Sequence, residues 1–268
     1  MVRHGLLTPS EVPQYSWRVL GKDDYGEIKG AVDKFVRDTP SSYRDNVNNS
    51  LNIFSLSSEG EMTGSNDFAP ILILRRTSIG KSSHLITIPE LLQIKSNFRG
   101  NYEDSGVVYR NKKETHKPNI PLWEELKKQL TKRFSLKNLD NLEYPVALYF
   151  SALDTERNGN SAYGLILNLS DEAEIGNNVI INPELDPAYI RENGVFRLCF
   201  CGFLGLGSGY EGLAYSGSVG RVVVVSGEAT QNLKNLEKYV QEKRKIEEDH
   251  LAQLKDLRDE IDRELKTK

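Results

Sequence analysis

The sequence predicts an α+β fold: a mainly antiparallel sheet region with a few short helices, followed by a long C-terminal amphipathic, coiled-coil-like helix. Three observations lead there. Short apolar runs punctuated by turn residues fill 51–225, the pattern of strands. Two segments carry apolar residues at helical spacing. From about Thr230 to Lys268 there is no Gly or Pro, and charged residues dominate. The expected organisation is an irregular arm over 1–25, a globular domain over 26–227 and a helix over 228–268.

Pro9 and Pro13 break any helix in the arm. Ile28, Ala31, Val32, Phe35 and Val36 predict a helix over Glu27–Arg37, ended by Thr39-Pro40. The Ser/Asn-rich stretch 41–50 reads as a loop, and Leu51–Ile53 as the start of a strand. Ile71–Leu74 is apolar on both faces and suggests a buried strand. His84–Ile88 and Val107–Tyr109 are further strands. Pro121 suits a first helical position, and Leu122, Leu126, Leu130 and Phe134 recur every four residues, predicting a helix over Pro121–Phe134. Val146–Phe150 and Tyr163–Leu167 flank Asn158-Gly159, a hairpin signal with room for a longer loop. Val179–Ile181, Val195–Leu204 and Arg221–Val225 are the last strands, with a glycine-dense stretch over 205–220.

In the C-terminal segment, placing heptad position a at 233 puts Leu233, Val240, Leu254 and Ile261 at a, and Leu236 and Leu257 at d. The middle heptad is polar, with Glu247 at a and Lys243 and His250 at d, which weakens the seam. A helix over 230–266 spans roughly 55 Å, more than a small domain is wide. It is expected to meet a copy of itself or another subunit, with packing along its own domain as the alternative.

Composition excludes several classes. The 268 residues are 38% apolar and 27% charged, with 35 basic and 38 acidic side chains and a net charge of −3. Neither a wholly basic nucleic-acid binder nor a disordered acidic chain fits. Cys199 and Cys201 are too close in sequence to staple a secreted scaffold. No signal-peptide run opens the sequence and no apolar run reaches membrane-spanning length, so a cytoplasmic protein is expected. Charge is uneven: 71–137 carries 14 basic and 6 acidic residues, and 138–227 carries 4 and 11. The two segments either face each other or mark an anion-binding face.

Each catalytic template then falls short. Gly80-Lys81-Ser82 matches the end of a phosphate-binding loop, but Arg75 stands where the first glycine belongs and a strand, not a helix, is expected next. A plain turn over Ser78–Ser82 accounts for the same residues. In the phosphate-loop reading, Asp154 is the magnesium-binding acid. Gly207-Ser-Gly209-Tyr-Glu-Gly212 matches G-x-G-x-x-G, yet it runs toward a strand and reads as a hairpin or a contact loop. Asp154–Gly159 begins like a calcium loop, but Leu165 replaces its final Glu. Four scattered histidines and a Cys-x-Cys pair do not make a metal site, and Glu27-Ile-Lys29 and Glu125-Leu-Lys127 do not share a helix face. No cofactor is implied.

Basic residues concentrate at Arg110, Lys112, Lys113, Lys117, Lys127, Lys128, Lys132, Arg133 and Lys137, with Tyr102, Tyr109 and Trp123 as candidate base-stacking aromatics. The leading expectation is a non-catalytic interaction or assembly protein that engages a partner through its C-terminal helix. The alternatives are a nucleic-acid-binding subunit using Lys112, Lys113, Lys127, Lys128, Lys132 and Arg133, and a degenerate phosphate-loop nucleotide binder.

Overall fold

A computed structural model describes residues 16–87, 90, 102–111, 113–134, 145–181, 193–201, 205–207 and 210–226. The helix expected over 228–268 lies outside these residues, as do its core positions Leu233, Leu236, Val240, Leu254, Leu257 and Ile261, and Lys112.

The chain begins with strand β1 (Ser16–Val19), helix α1 (Lys22–Arg37) and helix α2 (Arg44–Leu51). A short hairpin, β2 (Ser55–Leu56) and β3 (Met62–Thr63), leads to α3 (Ala69–Arg76), the single turn α4 (Ile79–Ser82) and β4 (Ser83–Leu85). Next come β5 (Tyr102–Asn111) and α5 (Ile120–Phe134). Strands β6 (Val146–Tyr149), β7 (Leu153–Arg157), β8 (Leu165–Leu169) and β9 (Val179–Ile181) come after α5. The last are β10 (Asn193–Cys201), β11 (Gly205–Gly207), β12 (Gly220–Arg221) and β13 (Val223–Ser226).

This is an α+β arrangement with antiparallel sheets. The largest sheet has the order β11-β10-β5-β6-β9, and β12 adds to β5 in parallel. A second sheet has the order β1-β13-β4, so that Trp17, Val225 and His84 lie in one row and Ser16 faces Ser226. Strands β7 and β8 form a separate hairpin, against which α5 packs. Ile28, Val32 and Phe35 of α1, Ile71–Ile73 of α3, and Leu122, Leu126 and Leu130 of α5 join Val107, Tyr109, Val146, Leu148 and Val224 in one core. Each such side chain contributes roughly 1.5–3 kcal/mol of burial before its entropy loss is counted. Among the described residues, no helix is long and apolar enough to cross a membrane.

Four expectations are corrected. Ile71–Leu74 is not a strand but the body of α3. Asn66 Oδ1 accepts the Phe68 and Ala69 N–H groups at 3.0 and 2.9 Å, capping the helix, and Pro70 lies in its first turn. A short apolar run looks alike as a buried strand or a buried helix, and here the cap decides. Residues 44–51 are helical rather than loop and strand, because Val47 and Leu51 anchor a turn whose Ser50 hydroxyl donates to Asn46 O and Tyr163 O. The irregular arm gives way at Ser16. Helix α1 begins five residues before Glu27, with Asp24 accepting the Gly21 N–H and a bidentate pair from Arg18. The hairpin forms between β7 and β8, while β6 pairs with β5 and β9. Its turn spans 158–164, and the left-handed residue is Gly164 (φ 68°), not Gly159.

One irregularity in the largest sheet sets the direction of a charged side chain. In the β5–β10 ladder Leu198 pairs with Gly106, and then Cys199 pairs with Asp104, leaving Ser105 as an extra residue. Such a bulge bends the strand and re-aims its side chains. Gly106 has φ 156° and lies against the Leu148 carbonyl, where no side chain fits. Beyond the bulge, Asp104 lies on the same side of the sheet as Arg197.

Candidate functional site

The residues singled out from sequence are dispersed. Gly80, Lys81 and Ser82 form α4, which runs directly into β4. The Glu27 carboxylate accepts the Ser78 N–H at 2.5 Å and its hydroxyl at 2.8 Å, so an acid occupies the start of this turn. Those two bonds hold Glu27 below its ordinary range. Gly80 packs on the Leu74 carbonyl, and Lys81 is exposed. Asp154 pairs with Arg75 at 2.7 Å.

The basic cluster also divides. Lys113, Lys128 and Lys132 are exposed, and Lys128 pairs with Glu125 at 3.5 Å. Lys127 Nζ sits 5.1 Å over the Trp123 ring. Arg133 donates to the carbonyls of Ser170 and Asp171, tying α5 to the segment after β8. Arg110 is buried over the Phe196 ring, and burial lowers it to about 10. Tyr109 stacks on Trp123 at 6.0 Å inside the core, and Trp123 Nε1 donates to Arg110 O. Cys199 is buried. No group of three or more His, Cys, Asp or Glu side chains could hold a metal among the described residues.

The strongest concentration of chemistry lies at the bulge, and sequence reading missed it. Arg197 of β10 donates to both Asp104 oxygens, from Nε at 2.9 Å and from Nη2 at 2.5 Å, and to Ser65 O at 3.3 Å. Asp67, in the loop that caps α3, is 3.9 Å from the same Nε. The Arg197 guanidinium lies 5.4 Å over the Tyr102 ring. Next along β5, Glu103 accepts the Val223 N–H with one oxygen. Asp67 is 0% exposed, Glu103 and Asp104 1%, and Arg197 4%. Among the described residues, neither Asp67 oxygen and only one Glu103 oxygen has a hydrogen-bond partner.

This dryness governs the electrostatics. Desolvation and the neighbouring Asp104 push Asp67 well above the usual carboxylate range, against the pull of Arg197. Burial likewise raises Glu103, despite the Val223 N–H. Burial opposes the charge on Arg197, yet Asp104 and Asp67 together hold it above its ordinary value, fully cationic. Tyr102 and Tyr163 are raised by burial and stay neutral phenols.

The segment 210–220 closes over this node through a ladder of mixed hydrogen bonds. Arg197 N donates to Tyr210 O, Asn119 Nδ2 to Glu211 O, Asp67 N to Leu213 O and Asn66 Nδ2 to Ala214 O. Ser65 N donates to Ser216 Oγ, and Gly217 N to the Tyr102 hydroxyl at 2.7 Å. Leu213 is buried beneath the strap, whereas Tyr210, Tyr215 and Val219 are 49%, 68% and 50% exposed. The node can hold charge and protons, and the strap presents aromatic surface above it. Compared with known proteins, the chain matches no protein family, no curated protein and no solved structure.

Proposed function

We propose that the protein is a non-catalytic interaction or assembly subunit that docks a protein partner through the 210–219 strap. The amphipathic segment 228–268 supplies a second contact, to a copy of itself or to another subunit. The observation that carries this reading is that Tyr210, Tyr215 and Val219, all exposed, fall within one ten-residue segment. Among the described residues the other exposed large apolar side chains, Leu56 and Ile175, lie far from the strap in sequence. Exposed aromatics held on a pre-ordered backbone lose little entropy on binding and are typical interface anchors. The alternatives have less support. Tyr109 and Trp123 are committed to the core rather than offered to bases, and an acid stands where the phosphate loop would need an anion.

The test is native mass spectrometry of the full chain and two variants. The unmodified protein is expected at multiples of 30.3 kDa, or with a stoichiometric protein partner. Leu254→Glu with Leu257→Glu should reduce the assembly, and Tyr210→Ala with Tyr215→Ala should weaken it. A single-chain mass that no protein partner changes would overturn the reading.

A further inference from the structure

We propose that a proton on the Asp67 carboxyl is the latch that keeps the 210–219 strap closed, and that rising pH releases the strap when this proton leaves for solvent. Charge is out of balance in a dry place. Two carboxyls, Asp67 and Asp104, share one guanidinium, that of Arg197, and a third buried carboxyl, Glu103, lies close enough to Asp104 to feel its charge. Arg197 has committed Nε and Nη2 to Asp104. Asp67 is left at 3.9 Å, outside hydrogen-bond reach, with no donor to either oxygen among the described residues. An ionised carboxylate held without donors or water is strongly disfavoured. A neutral acid in the same place is tolerable.

The neighbouring groups add acids rather than cations. Tyr102, Glu103 and Asp104 come from β5, Arg197 from β10 and Tyr163 from the turn between β7 and β8. Glu114 lies after β5 and Glu211 on the strap, both close enough to raise Tyr163 together with Asp67. Arg197 is the one cation in this set. Glu211 Oε1 also lies 3.8 Å from His116 Nδ1.

The closed strap is therefore coupled to the neutral acid. Asp67 N donates to Leu213 O at 3.0 Å, so the residue that must ionise is also a rung of the strap's ladder. The Asp67 anion needs water, and access to water means lifting Leu213 and its neighbours. Glycines at 212, 217 and 220 give that segment backbone freedom to move.

Hydrogen exchange of the full-length protein tests this, with rates corrected for intrinsic base catalysis. Between about pH 6 and about pH 9, protection of the 210–220 amides should fall about tenfold or more. Asp67→Asn, which cannot ionise, should keep the strap protected throughout. His116→Gln and Glu103→Gln should each retain the fall. An unchanged wild-type strap overturns the proposal, as does an equal fall in Asp67→Asn, or loss of the fall in Glu103→Gln or His116→Gln. If Asp67→Asn does not fold, infrared spectroscopy of Glu103→Gln, which lacks the other raised carboxyl, decides. A buried carboxylic-acid band at neutral pH that disappears as strap exchange rises supports the latch, and absence of that band overturns it. The strap can open with pH whether or not it docks a partner, so failure here leaves the docking reading to its own mass measurement.

Discussion

Arg75 and Arg197 each stand between two acidic side chains, and the two places differ chiefly in water. Arg75 reaches Asp154 at 2.7 Å and Glu172 at 3.2 Å, acids whose side chains are 41% and 67% exposed, and it also donates to Ser151 O and Leu153 O. Arg197 meets Asp104 and Asp67, whose side chains have no exposure. At Arg75 an unbalanced charge can turn to solvent, so the cluster acts as a modest tether between α3 and β7. At Arg197 there is no such relief, and the same arithmetic of one cation to two acids becomes a question of protonation. Burial decides what an ion pair does.

The largest break in this comparison is Arg197→Met. Removing the cation strands Asp104 beside Asp67, and stability should fall by about 3–5 kcal/mol in denaturant unfolding. Gly106→Ala comes next. Its new methyl meets the Leu148 backbone and its φ is unfavourable, so a loss of about 1–3 kcal/mol is expected in thermal unfolding. Little change would mean that the bulge does not fix Asp104.

Asp67→Asn sharpens the comparison through pH. A raised native pKa means that the stability tied to Asp67 is complete below about pH 4, the unfolded value, and is lost as pH climbs toward the native one. The Asn variant has no such loss. Its stability relative to wild type should therefore rise with pH, by at most about 1.4 kcal/mol per unit. Asp24 supplies the opposite limb. The hydrogen bond from Arg18 holds it low, so its contribution is present above the unfolded value and is lost as pH falls through the native one. Arg75→Ala is the smallest expected effect, about 1 kcal/mol or less, and added salt should shrink the part due to its acids. A larger loss at Arg75 than at Arg197 would reverse the comparison.

Much of the scaffold was legible because apolar period survives in the sequence. Helix α5 starts within a residue of Pro121, and Val179–Ile181 is a strand as expected. Helix α3 was not legible, since a run as apolar as Ile71–Leu74 carries no period and its cap, Asn66, precedes it in the polar stretch Ser65-Asn-Asp67. The α+β class could be read, but the strand pairing could not: β6 looked like one arm of a hairpin and instead joins another sheet. The node was almost invisible. Asp104 reaches Arg197 only because of an extra residue in β5, which no local pattern announces. The one available signal was Arg197 itself, a lone charge in Val195-Phe-Arg-Leu-Cys-Phe200, where an apolar strand implies a buried partner.

The pairing of β1 with β13 has a topological consequence. Ser16 and Ser226 face each other, with their hydroxyl oxygens 3.1 Å apart. The body 16–226 thus starts and finishes at a single point on its surface. A circular permutant joining 226 to 16 through a short linker, and opened between the exposed residues Gly159 and Asn160, should keep every strand pairing described. By the same geometry, this body could be spliced into a surface loop of a host protein without stretching either chain.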